Sequence, residues 1–232
     1  MHFEILVEDI SGKTTLDILV PKIIGDQHTF RVVPYKGIGR IPKNLKSSSA
    51  PNKRILLDQL PRLLKGYGKT YANQRESAAV IVVCDLDDQC LKTFRNELFE
   101  ILLNCNPKPE TRFYIAIEEG EAWFLGDIPA IRSAYPSAKS DVLHAYINDS
   151  ICQTWEKLAD AIYPGGSASL VKKGYQTVGK EKSSWAKSIT PFMNVDSNLS
   201  TSFCYFRDAL RKLPEILFIP EEREANLCKE DE

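Results

Sequence analysis

Hydrophobic positions in the first 120 residues alternate between two periods. Phe3-Glu4-Ile5-Leu6-Val7 is a short β-prone run that stops at Glu8-Asp9. Behind it Leu16, Leu19, Val20, Ile23 and Ile24 recur at the spacing of one buried helix face. Thr29-Phe30-Arg31-Val32-Val33 predicts a second strand. Residues 52–67 have a helical pattern interrupted by Pro61, which predicts a kink or two short helices. Ala78 to Cys84 is apolar without alternation, as expected of a strand covered on both faces of a parallel sheet. Leu91, Phe94, Leu98, Ile101 and Leu102 predict another amphipathic helix, and Phe113-Tyr114-Ile115-Ala116-Ile117 the next strand.

This βαβα rhythm predicts an α/β sandwich with a mainly parallel sheet. After Pro136 the pattern turns helical. Ile151, Trp155, Leu158, Ala159 and Ile162 form one face, closed by Pro164-Gly165-Gly166, and Phe203, Phe206, Leu210 and Leu213 form another. The expected organisation is an α/β core over 1–136, a helical C-terminal extension over 137–219 packed on it, and an acidic mobile tail over 220–232.

Length and composition narrow the class. The 232 residues are 43% hydrophobic and 26% charged, enough for a core and too apolar for wholesale disorder. Thirty basic and 31 acidic residues leave a formal charge of −1, so any polyanionic partner must be met by a local patch. No apolar run approaches the roughly 20 residues that span a bilayer. The chain enters a strand pattern at once, without a basic leader. The expectation is a soluble, cytoplasmic protein with no membrane partner. Cys84, Cys90, Cys105, Cys152, Cys204 and Cys228 form no C-x-x-C pair and read as reduced thiols; His2, His28 and His144 lack ligand spacing.

The chemistry sits at the strand ends. Three predicted strands each close in carboxylates: Glu8; Asp85 and Asp87; and Glu118, Glu119 and Glu121. In an open α/β sheet the C-terminal strand ends line the ligand crevice. Residues at i and i+2 of an extended segment point the same way, so Asp85 and Asp87 can share one ion. A set of hard oxygen ligands selects Mg²⁺ or Mn²⁺, which suits phosphoryl transfer or phosphodiester hydrolysis. Each acid taken singly is better explained by helix capping, with Asp87 or Asp88 on the following helix and Glu8 near a helix N-terminus. Three acidic strand ends together favour the metal reading, with Glu8, Asp85, Asp87, Glu118 and Glu121 as candidate ligands.

Between Gln27 and Leu57 stand Arg31, Lys36, Arg40, Lys43, Lys46, Lys53 and Arg54, and no acid. Interleaved Gly37, Gly39 and Pro42 make much of this a loop. It fits either a polyanion-binding loop beside the acids or an ordinary solvated connection. Lys172, Lys173, Lys180, Lys182 and Lys187, with Tyr175 and Trp185, carry the same two readings more weakly. Ser11-Gly12-Lys13-Thr14-Thr15 imitates the tail of a phosphate-binding loop. The full motif requires glycine where Val7 stands, and the lead-in would aim Glu8 and Asp9 at the phosphates.

A glutamate closing the first strand (Ile5-Leu6-Val7-Glu8-Asp9) and a D-x-D closing a later one (Val82-Val83-Cys84-Asp85-Leu86-Asp87) resemble the Toprim arrangement of topoisomerases, primases and OLD-family nucleases. The string Ile115-Ala116-Ile117-Glu118-Glu119-Gly120-Glu121-Ala122-Trp123-Phe124-Leu125-Gly126-Asp127 is similar to a bacterial Toprim-like family of unknown function, as are Lys182-Ser183 and Ser200-Thr201-Ser202-Phe203. The resemblance implies a three-layer Toprim-like sandwich and a Mg²⁺- or Mn²⁺-dependent nuclease-like activity on nucleic acid. It also implies an ATPase partner in a phage-defence or mobile-element system. Glu8 would be the general acid/base or a shared ligand, Asp85 and Asp87 would hold the metal, and Glu121 or Glu118 would complete the site. Arg31, Lys36, Arg40, Lys43, Lys46, Lys180 and Lys182 are the candidate nucleic-acid contacts. Asp9 stands where Toprim proteins commonly have glycine, and Gly12 follows three residues later. The alternatives are a non-catalytic Toprim-like interaction subunit and a nucleotide-binding protein using Gly12-Lys13-Thr14.

Overall fold

The computed structural model describes residues 1–46, 50–73, 78–86, 89–116, 120–148, 150 and 153–217. Four strands form one sheet: β1 (His2–Val7), β2 (Thr29–Pro34), β3 (Ala78–Asp85) and β4 (Thr111–Ala116). Their order is β2-β1-β3-β4, and every neighbouring pair is parallel. Helices α1 (Ile10–Ile24), α2 (Leu56–Thr70) and α3 (Leu91–Leu103) make the crossovers. The predicted α/β sandwich with a helical C-terminal part is therefore what the chain forms.

Alternation along each strand feeds two cores. Phe3, Ile5 and Val7, with Ala79 and Ile81, point toward α1 and the C-terminal helices. Leu6, with Val80, Val82 and Cys84, points the other way, onto α2 and α3. Both faces of the central strands are covered, which explains the unbroken apolar run of β3. All five residues of the predicted α1 face are buried.

The C-terminal part comprises α4 (Glu121–Leu125), α5 (Ile128–Ala134), α6 (Ser140–His144), α7 (Thr154–Ile162), α8 (Gly166–Val171), α9 (Tyr175–Ile189) and α10 (Thr201–Leu217). Its buried residues, including Trp155, Trp185, Phe203 and Phe206, share one continuous cluster with Phe3 and Leu16. Ile151, Cys152 and the expected tail over 220–232 lie outside the described residues. Cys84, Cys90, Cys105 and Cys204 are free thiols, as expected. Among the described residues no helix is long and apolar enough to cross a membrane.

Of the two alternatives expected around Pro61, two short helices do not form. One 3₁₀ turn at Pro51–Lys53 precedes a single helix, α2, which runs through Pro61. The chain breaks instead near Arg54, whose φ is +54°. Pro61 lies in the second turn of α2, where only the carbonyl of Leu57 loses its helical partner.

Candidate active site

The site forms where β1 and β3 end. Val7 pairs with Val83, and Asp85 pairs with Ala116 of β4. Glu8 and Asp85 thus leave neighbouring strands within about two residues of each other in register. Asp85 shares the parity of Ala79 and Ile81, which directs it to the face covered by α1 and the C-terminal helices.

There Glu8, Asp85 and Glu121 line one cleft, with Asp9, Gly12, Trp123 and Lys182 among its other walls. Its volume is about 70 Å³. A water occupies ~10–15 Å³ on that measure, so the cleft has room for a hydrated ion. Glu121 is placed by Gly120, which ends the approach to the short α4, and its carboxylate is nearly fully buried. Lys182, on α9, brings its ammonium 3.1 Å from Glu121 Oε2. Ser11 Oγ donates to the Lys182 carbonyl at 3.3 Å, which ties α9 to the start of α1.

The two motif segments that follow the third acidic strand dock on one another. Trp123 Nε1 donates to Ser202 Oγ at 3.1 Å, and the Trp123 ring stacks on Phe206 and meets Phe203 edge-on. Asn198 Nδ2 donates to the Trp123 carbonyl at 2.8 Å, and Leu199 N–H to the Gly126 carbonyl at 2.9 Å. A Cβ on Gly126 would stand 2.3 Å from Asn198 Oδ1, so only glycine permits this approach. The packing holds α4, and with it Glu121, against the sheet.

The phosphate-loop imitation resolves differently. β1 passes into α1 through Glu8 and Asp9 alone, which leaves no loop to wrap a phosphate. Asp9 caps the helix, accepting from Gly12 N–H at 2.7 Å, and Lys13 Nζ is 2.6 Å from Asp17 Oδ2. A Cβ at Gly12 would lie 3.3 Å from Asp9 Oδ1 and 3.6 Å from Val7 Cβ. Gly12 therefore serves the close approach of the Asp9 cap, and the geometry is unsuited to the Gly12-Lys13-Thr14 nucleotide reading.

The basic stretch begins beside the acids. Tyr35 N–H donates to the Val7 carbonyl and Gly37 N–H to the Glu8 carbonyl, each at 2.8 Å. Lys36 N–H donates to the Arg54 carbonyl at 2.8 Å, and the Arg54 guanidinium lies 5.7 Å from the centre of the Tyr35 ring. Lys36, Arg40, Lys43, Lys46, Lys53 and Arg54 are all exposed. Lys180 and Lys182 separate: residues two apart on a helix project about 200° apart, so Lys180 faces solvent while Lys182 faces Glu121.

Arg31 has a partner that its sequence does not announce. Its guanidinium grips Glu4 with Nε–Oε1 2.9 Å, Nε–Oε2 3.0 Å and Nη2–Oε1 2.7 Å. Tyr67 Oη donates to Glu4 Oε1 at 2.9 Å and Tyr71 Oη to Oε2 at 3.5 Å. Glu4 is fully buried in the middle of β1, on the face of the sheet opposite the cleft. Burial, then the Glu4 charge, holds the Tyr67 phenol well above the usual tyrosine range.

Of the predicted metal ligands, Glu8, Asp85 and Glu121 come together, while Asp87 and Glu118 lie outside the described residues. Among the described residues, no three His, Cys, Asp or Glu side chains close to metal-ligating spacing. Lys182 is the site residue whose place sequence reading caught least well: its pairing with Glu121 depends on the packing of α9 against α1. No family model, curated protein or solved structure matches the chain significantly, so the site is read from its own geometry.

Proposed function

We propose that the protein is a Mg²⁺- or Mn²⁺-dependent nuclease-like enzyme of Toprim type that hydrolyses phosphodiester bonds in nucleic acid. One observation carries the reading: Glu8, Asp85 and Glu121, from three separate elements, line a single small cleft at the C-terminal end of a parallel sheet. Their donor set is all carboxylate oxygen, which fits a hard divalent cation. When bound, that ion would polarise a phosphoryl oxygen and lower the pKa of a water.

The chain's own residues supply the rest. Asp85 and Glu8 would hold the ion between neighbouring strand ends, and Asp87 or Glu118 would add ligands. Glu8, which lines the cleft, would take a proton from the attacking water. Lys182 offsets the charge of Glu121 and limits repulsion within the cleft. Lys36 and Arg40, on the loop fixed to the Glu8 carbonyl, would hold flanking phosphates. The resemblance that suggests this activity also suggests an ATPase partner and a defence or mobile-element setting.

A second reading, a non-catalytic interaction subunit, draws support from the ion pair itself. A cleft carboxylate already neutralised by Lys182 needs no metal to be stable. Incubation of labelled single- and double-stranded DNA and RNA with Mg²⁺ or Mn²⁺ separates the two. Cleavage by the wild type that Asp85→Asn abolishes supports the enzyme; metal-independent binding without cleavage, including with an ATPase partner present, supports the subunit.

A further inference from the structure

The sheet has two edges, and they are finished differently. β2 closes with Pro34, which has no N–H to offer. β4 reads Thr-Arg-Phe-Tyr-Ile-Ala, without proline or lysine. Val80 N–H donates to the Glu110 carbonyl. Parallel ladders repeat every two residues, so Arg112 and Tyr114 turn their backbone groups toward β3. Thr111, Phe113 and Ile115 turn theirs outward. The Thr111 carbonyl accepts from Arg112 Nη1 at 3.2 Å. Among the described residues nothing pairs with the outward N–H and C=O groups of Phe113 and Ile115.

This open edge lies in a groove of about 520 Å³ between α3 and α10. Its walls are large apolar side chains left in water: Leu91 is 37% exposed, Phe99 43% and Tyr205 68%. They are held in place by their neighbours. Phe99 meets Phe113 edge-on at 5.7 Å, and Tyr205 meets Tyr114 at 5.9 Å. Arg95 stands 5.8 Å from the centre of the Phe99 ring. Among the described residues the lining contains two arginines, Arg95 and Arg112, and no acid. Arg112 is paired with Glu110 just before the strand, so among the described lining residues Arg95 is the charge facing an incoming chain.

From these features we infer that the β4 edge binds an extended, acidic segment of a partner protein by strand addition. Backbone groups exposed at two-residue spacing match an extended chain and not a helix. Aromatic walls on either side accept alternate apolar side chains, and Arg95 selects a carboxylate between them. The groove is separate from the acidic cleft, so the inference stands whether or not the cleft cleaves nucleic acid.

Selection from a phage-displayed library of random twelve-residue peptides tests it, followed by hydrogen exchange with the enriched peptides. Enriched sequences should combine β-branched or aromatic residues with Asp or Glu, and should slow exchange at the Phe113 and Ile115 amides. Arg95→Glu with Tyr205→Ala, both on exposed side chains, should weaken binding by about tenfold or more. Three results would overturn the inference: no enrichment, enriched peptides that lack acids or leave those amides unprotected, or slow exchange there from self-association of the protein alone.

Discussion

Lys182 Nζ lies 3.1 Å from Glu121 Oε2, with the carboxylate side chain 3% and the lysine side chain 21% exposed. The pair joins α9 to α4 inside the proposed metal cleft. Lys182→Met takes a counter-charge from a buried carboxylate, so it should lower stability by about 3 kcal/mol. If Glu121 belongs to the metal-binding set, Mn²⁺ should raise the melting temperature of the variant more than that of the wild type. Equal shifts in thermal denaturation would remove Glu121 from that set.

The basic loop and α9 differ in their relation to the cleft, and charge reversal should show it. Lys36→Glu with Arg40→Glu should weaken binding of a single-stranded oligonucleotide about tenfold near 0.1 M salt, and flatten the salt dependence by a slope of about one. Lys180→Glu, on the side of α9 away from Lys182, should change both far less. Fluorescence anisotropy across a salt series reads the contrast; equal losses from the two variants would contradict it.

Alkali should destabilise the fold through its buried phenols. Tyr114 is pushed up to about 12, chiefly by burial, and Tyr67 is raised further by burial and by the Glu4 carboxylate. A phenol whose folded pKa exceeds its unfolded value near 10 favours the folded state in its protonated form. That contribution is complete below about pH 10 and disappears as pH rises through the folded values. Urea midpoints should therefore fall from about pH 10 upward, and less steeply in Tyr67→Phe. A flat profile would show that these hydroxyls are solvated.

Much of the architecture was legible because local pattern and tertiary burial agree. The face of Leu16, Leu19, Val20, Ile23 and Ile24 and the run from Ala78 to Cys84 fix one helix and one doubly covered strand, and both are found. The acidic strand ends were visible for the same reason: each follows a recognisable apolar run. Pairings across the chain were not. Glu4 breaks an apolar strand that is buried on both faces, yet nothing nearby in sequence names Arg31, Tyr67 and Tyr71 as its partners. The one available signal was a lone acid in a central strand, which cannot be buried unpaired. Lys182 reads as one of several surface lysines until α9 is packed on α1.

The central claim is that the carboxylates of the cleft bind a divalent cation, and calorimetric titration of Mn²⁺ into the purified protein tests it most directly. The wild type should bind Mn²⁺ saturably, and Glu8→Gln with Asp85→Asn should abolish binding while leaving the circular dichroism spectrum unchanged. Binding of equal strength in the folded double variant would contradict the account, as would no binding to the wild type with or without an oligonucleotide present.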